Sequence, residues 1–97
     1  MIEINGKIYQ QLADALKSQL DSKSDFFNGR VEMDTDKFYS NFICTLIIYR
    51  KRHQTEGGRM VSETEDIVPV WWEFNATEGG IQVETDFCWN EFKKYLL

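Results

Sequence analysis

The sequence predicts an α+β domain: an antiparallel meander sheet of three to four strands with one N-terminal and one C-terminal helix, in the order α-β-β-β-(β)-α. Three observations carry this. Apolar residues recur near the 3.6-residue helical period over 7–20 and again at the C-terminus. Between those stretches the period falls to two, over runs rich in β-branched and aromatic residues. Turn-forming residues punctuate the middle at 34–37, 57–58 and 75–80.

The first helix is expected over 7–20, with Ile8, Leu12, Ala15, Leu16 and Leu20 as its apolar stripe. It is entered through Asn5-Gly6 and stopped by Asp21-Ser22-Lys23-Ser24-Asp25. From Phe26 a half-buried strand sets Phe27, Val31 and Met33 against Asn28, Arg30 and Glu32. Asp34-Thr35-Asp36-Lys37 turns the chain into a long run from Phe38 to Tyr49, and a second run covers Ile67 to Phe74. Asn75 to Gly80 reads as a turn before a short strand with Ile81 and Val83. Thr85 or Asp86 is placed to cap a last helix over 86–96, in which Trp89, Phe92, Tyr95 and Leu96 share a face. Lys93 and Lys94 fall in its last turns, where the helix dipole favours cations.

Charge and hydrophobicity select a register for the central hairpin. A two-residue turn at Gly57-Gly58 sets Glu56 opposite Arg59, Arg52 opposite Glu63 and Arg50 opposite Glu65. It also matches Ile48 with Ile67, Ile47 with Val68, Ile43 with Trp72 and Cys44 with Trp71. A turn one residue earlier would place Ile48 against Glu65. Both faces of this hairpin are then apolar. Phe42, Cys44, Leu46, Ile48, Ile67 and Trp71 lie on one, and Ile43, Ile47, Tyr49, Val68, Val70, Trp72 and Phe74 on the other. Two short helices can cover one face or part of each, so two arrangements follow: one helix per face, or both helices on the Phe42 face with the other left for a second copy or a partner. Residues 50–66 are almost wholly polar and extend beyond the core as a β-arm or a mobile loop, projecting on the order of 20 Å.

The chain has 97 residues, 42% apolar and 28% charged, which suits one globular domain spanning 1–97. Its net charge of -5 disfavours nonspecific binding to nucleic acid or anionic lipid. Neither Lys nor Arg occurs from Met60 through Phe92, so a basic surface has to come mainly from the first 59 residues. The start Met1-Ile2-Glu3-Ile4-Asn5 has no secretory pattern, and no apolar run is long enough to span a membrane, so a cytoplasmic location is expected. Cys44 and Cys88 both sit in apolar settings and read as buried free thiols. Asn75-Ala76-Thr77 fits a glycosylation sequon but reads as turn sequence without a secretory route.

No constellation points to catalysis, a metal or a cofactor. His53 is the sole histidine and has no nearby cysteine, which leaves a zinc site or a His-based triad without its other members. Asp34-Thr35-Asp36-Lys37-Phe38 breaks the calcium-loop pattern at its fifth position. Gly57-Gly58 lies between strands, with no helix N-terminus behind it to hold phosphate. Arg50, Lys51 and Arg52, with His53, form the only basic cluster and could grip phosphates beside Tyr49, although Glu63 and Glu65 are placed to neutralise it. The order of elements is similar to that of double-stranded-RNA-binding domains. Those present basic residues at the start of the last helix, where this chain has Thr85-Asp86-Phe87-Cys88-Trp89-Asn90-Glu91, and acids there repel phosphate.

The function expected is a non-catalytic protein-interaction module, as a homodimer or with a protein partner, using an apolar sheet face or the arm. Trp71-Trp72 puts adjacent indoles on opposite faces of one strand, so one of them, with Val70, is the expected anchor. The alternative is a small-ligand-binding domain or minor enzyme with an aromatic pocket between sheet and helix, built from Phe38, Phe42, Trp71 and Phe92.

Overall fold

A computed structural model describes residues 1–21 and 23–97; Ser22, in the loop expected after the first helix, lies outside the described residues. The elements are α1 (Gly6–Gln19), β1 (Phe26–Asp34), β2 (Tyr39–Gln54), β3 (Met60–Glu78), β4 (Ile81–Val83) and α2 (Trp89–Leu96). The strands form one antiparallel sheet in the order β1-β2-β3-β4, giving the α+β meander that the sequence predicts. Among the described residues no helix is long and apolar enough to cross a membrane.

Asn5 starts α1 by accepting the Ile8 N–H on its side-chain oxygen at 2.9 Å, satisfying a donor that the helix itself cannot. The buried face is Tyr9, Leu12, Ala13 and Leu16. It is turned from the expected stripe, with Ile8 and Ala15 only partly buried. The cause is α2, against which the Tyr9 ring stacks on Tyr95 with centroids 5.6 Å apart. Gly6 permits this approach, because a Cβ there would lie 2.8 Å from the Tyr95 hydroxyl.

The last helix begins at Trp89 and not at 86, and neither expected cap performs that role. Thr85 accepts the Phe87 N–H at 3.3 Å, and Asp86 accepts the Ile4 N–H at 2.6 Å. The N-terminal segment has captured the Asp86 side chain and the backbone beside it, since Ile2 N–H also donates to Glu84 O and Asp86 N–H to Ile2 O. Residues 84–88 are thereby held extended, and Phe87 packs its ring against Phe74 in a stack 4.5 Å apart. Phe42 lies 5.5 Å from Phe87 and 5.3 Å from Phe92, which joins the sheet, the 84–88 segment and α2 in one aromatic cluster. Val31, Phe42, Cys44, Leu46, Ile48 and Ile67 are buried in the same core as Leu12, Leu16 and Phe92, so both helices cover one face of the sheet.

The register differs from the expected one at both ends of the central hairpin. Ile48 does pair with Ile67 and Ile47 with Val68, but the pairing shifts between Thr45 and Leu46 and again between Tyr49 and Arg50. At the first shift Leu46 pairs with Pro69 and Thr45 with Trp71, leaving Val70 as an extra residue on β3. Cys44 therefore meets Trp72 instead of Trp71, and Ile43 meets Glu73 instead of Trp72. The turn also departs from expectation. Gly58 N–H donates to Thr55 O and Thr55 N–H to Arg59 O, closing a three-residue loop in which Gly58 takes φ 79°. Glu56 is thus in the loop, and Arg59 faces Thr55. The two-residue glycine turn lies instead at Gly79-Gly80, with φ 60° and 83°, so β3 runs on to Glu78 through residues expected to be loop.

Because β4 pairs only with Ala76–Glu78, the rest of β3 is an edge, where Pro69 costs no sheet hydrogen bond on its free side. Beyond the core β2 and β3 continue as a paired arm, Arg50↔Thr64 to Gln54↔Met60, in a molecule 54 Å long by 22 Å and 19 Å.

Phe42 is fully buried at the junction of sheet and α2. Phe42→Ala should cost about 3–5 kcal/mol in urea unfolding, the range for a buried aromatic whose cavity cannot collapse. A second prediction concerns pH. Lys93 holds Asp66 at 2.6 Å, tying α2 to β3, and its hydrogen bond keeps the Asp66 carboxyl below the ordinary aspartate value. A lowered folded-state pKa means stability present above the unfolded value and lost as pH falls through the folded one. Asp66→Asn should therefore lower Tm at pH 7, and the difference from wild type should vanish once the pH is taken well below 3.8.

Candidate interaction surface

The placement of both helices leaves the opposite face of β1, β2 and β3 without a covering element among the described residues. Alternation along β2 puts Ile43, Thr45, Ile47 and Tyr49 on this outer face, while Phe42, Cys44, Leu46 and Ile48 point into the core. Register then brings side chains abreast across three strands. Phe26, Ile47 and Val68 form one row, Asn28, Thr45 and Trp71 the next, and Arg30, Ile43 and Glu73 a third. The Thr45 hydroxyl bonds the Asn28 side-chain oxygen at 3.1 Å, which fixes the second row.

The bulge decides which tryptophan is outside. A bulge of this kind directs its two successive side chains to one face, and Val70 and Trp71 are 62% and 50% exposed. Past the bulge the alternation of β3 is inverted relative to an unbroken strand. Trp72 and Phe74 consequently turn inward, with Trp72 5.2 Å from Phe87 and 6.4 Å from Phe42. This reverses the expected faces of Trp71, Trp72 and Phe74. Phe26 and Tyr49, 57% and 51% exposed, complete the outer patch. Phe26 was legible as the residue before inward-facing Phe27, but nothing local marked it as part of a surface.

The structure does not bring the basic cluster together on one face. Arg50 turns to the helix side, where its guanidinium donates to Asp21 O and Ser24 O, each at 3.0 Å, and its Nε faces Asp25 Oδ1 at 3.5 Å. Its side chain is only 10% exposed, so Arg50 pins the α1–β1 loop to the base of the arm. Lys51 pairs across the ribbon with Glu63 and Arg52 with Ser62, on opposite faces of the arm. The expected Arg52–Glu63 and Arg50–Glu65 pairings are absent, because the second bulge shifts the register.

The aromatic residues proposed for a ligand pocket are not brought together either. Phe38, Phe42 and Phe92 are packed in the core, whereas Trp71 lies on the far side of the sheet. A groove of about 590 Å³ does lie between β3, β4 and the 84–87 segment, against Trp72, Phe74, Val83 and Phe87, with Glu84 as its only titratable group. No group of three or more His, Cys, Asp or Glu residues able to hold a metal occurs among the described residues.

Cys44 is buried, but Cys88 is exposed, contrary to the expectation of two buried thiols. Cys88 precedes a helix that buries Trp89, Phe92 and Leu96, so packing the indole leaves its neighbour outside. Burial pushes the Cys44 thiol up to about 12. In native protein at pH 8 a thiol reagent should therefore label Cys88 alone, with Cys44 reacting only after denaturation; mass mapping of the adducts checks this. No family model matches this chain, and no curated protein or solved structure shows significant similarity to it.

Proposed function

We propose that the protein is a non-catalytic interaction module that self-associates through the outer face of its sheet. The observation that carries this reading is the patch of Phe26, Ile47, Tyr49, Val68, Val70 and Trp71, left uncovered because both helices pack on the opposite face. From side chains of this size, roughly half exposed, the apolar area is on the order of 600 Å², at the upper end of what a monomer leaves bare. Burying it would yield the non-directional free energy that drives protein association. Trp71 beside Val70 gives the patch a large, rigid anchor of the kind that dominates interface energetics. The arm does not supply an equivalent surface: its exposed side chains are mostly polar, and Arg50 is already engaged at its base.

The two substitutions that distinguish an outer from an inner position are Val70→Glu and Trp72→Glu. Val70→Glu should leave the circular dichroism spectrum intact, shift folding stability by no more than about 0.5 kcal/mol as exposed sites do, and lower the mass measured by sedimentation equilibrium. Trp72→Glu should unfold the chain, since it forces a charge into the aromatic core. A wild type that sediments as a monomer, or a Val70→Glu variant that unfolds, would refute the proposal.

A further inference from the structure

We infer that the occupant of the outer face is a second copy stacked about a two-fold axis parallel to β2, with Arg30 of each copy opposite Glu73 of the other. The inference rests on the outer-face reading above and adds the arrangement. A homodimer built on one face uses the same patch twice, so the patch must complement itself under a two-fold rotation. For two aligned sheets stacked face to face, that axis runs either along the strands or across them.

An axis along β2 exchanges β1 with β3 and keeps each row at its own level. The Phe26–Ile47–Val68 row then meets itself reversed, with Phe26 on Val68 and Ile47 on Ile47. The Arg30–Ile43–Glu73 row also meets itself reversed, so each Arg30 faces a Glu73 and the charges match at two symmetric points. Sheets stack about 10 Å apart, a gap that these two long side chains can bridge from opposite sides. Arg30 is well exposed, and among the described residues its one ion-pair neighbour is Glu32 of its own strand, 3.5 Å away, a single contact for a guanidinium with five N–H donors.

An axis across the strands does the opposite. It would keep β3 over β3 and bring the Glu73 level onto the level of Tyr49 and Asp66. Glu73 would then be set against Tyr49 and an Asp66 already held by Lys93 at 2.6 Å, neither of which offers it an opposite charge. The area argument agrees with a closed pair: the apolar patch with its rim of Asn28, Arg30, Thr45 and Glu73 comes to roughly 800 Å² per copy, the amount a standard stable interface removes from water.

The test is charge reversal followed by mixing, read by sedimentation equilibrium with circular dichroism as the control for folding. Arg30→Glu and Glu73→Arg should each weaken the dimer roughly tenfold or more, because each sets like charges opposite one another twice. An equimolar mixture of the two variants should re-form dimers within about threefold of wild-type affinity, since every seam in the mixed dimer again joins opposite charges. A mixture no tighter than its separate components would overturn this arrangement, while loss of association in Val70→Glu would still uphold the face. Retention of the dimer in Val70→Glu would overturn both, and a wild type that stays monomeric at about 100 μM would exclude a second copy as the occupant.

Discussion

Packing around Phe42 is the constraint from which the other features of this molecule follow. Its ring touches the inward side of β3 through Trp72 and Phe74, the 84–88 segment through Phe87, and α2 through Phe92. Once α2 is drawn to that face, α1 must follow, because Tyr9 packs against Phe87, Phe92 and Tyr95 and its hydroxyl accepts the Cys88 N–H at 3.0 Å. Desolvation raises the Tyr9 pKa, as expected for a phenol whose ring serves the core. Two helices on one side of a sheet leave the other side bare. The surface with functional interest is therefore a by-product of where the aromatic residues converge.

The bulge at Val70 determines the chemical character of that surface. A strand without it would carry Trp71 inward and Trp72 outward, and the outer face would gain Phe74 as well. One extra residue inverts the alternation between Pro69 and Trp71, which assigns Trp72, Phe74 and Ala76 to the core and places Trp71 beside Val70 on the exterior. The second bulge, near Tyr49, has a comparable effect on charge. It moves Glu63 opposite Lys51 and sets Thr64 opposite Arg50, whose guanidinium is drawn to the carbonyls of the α1–β1 loop.

The distribution of charge narrows what this surface can receive. β3 and everything up to Phe92 carry acids without a base, so the outer face is acidic along one edge, while β1 across the apolar strip carries Arg30 beside Glu32. A polyanion would be repelled by the acidic edge. Exposed edges at β1 and along most of β3 add unpaired backbone groups to the same region, and Pro69 limits strand addition at the latter.

The sequence by itself determined the class of fold and the order of its elements, since hydrophobic period and turn chemistry are local. Phe27, Val31 and Met33 against Asn28, Arg30 and Glu32 marked a strand with one buried side, and the structure keeps that division. Ile48 opposite Ile67 was recoverable because apolar β-branched partners favour facing one another, whereas the charge pairs expected beyond them did not form. Locally, Gly57-Gly58 and Gly79-Gly80 were equivalent turn signals, and which became the two-residue turn depended on where β2 and β3 were already paired. Only the tertiary structure decided the faces. A bulge costs little locally and leaves no clear mark in composition, yet it reverses every side chain beyond it, so the choice between Trp71 and Trp72 rested on the fit of Trp72 against Phe42 and Phe87 across the core.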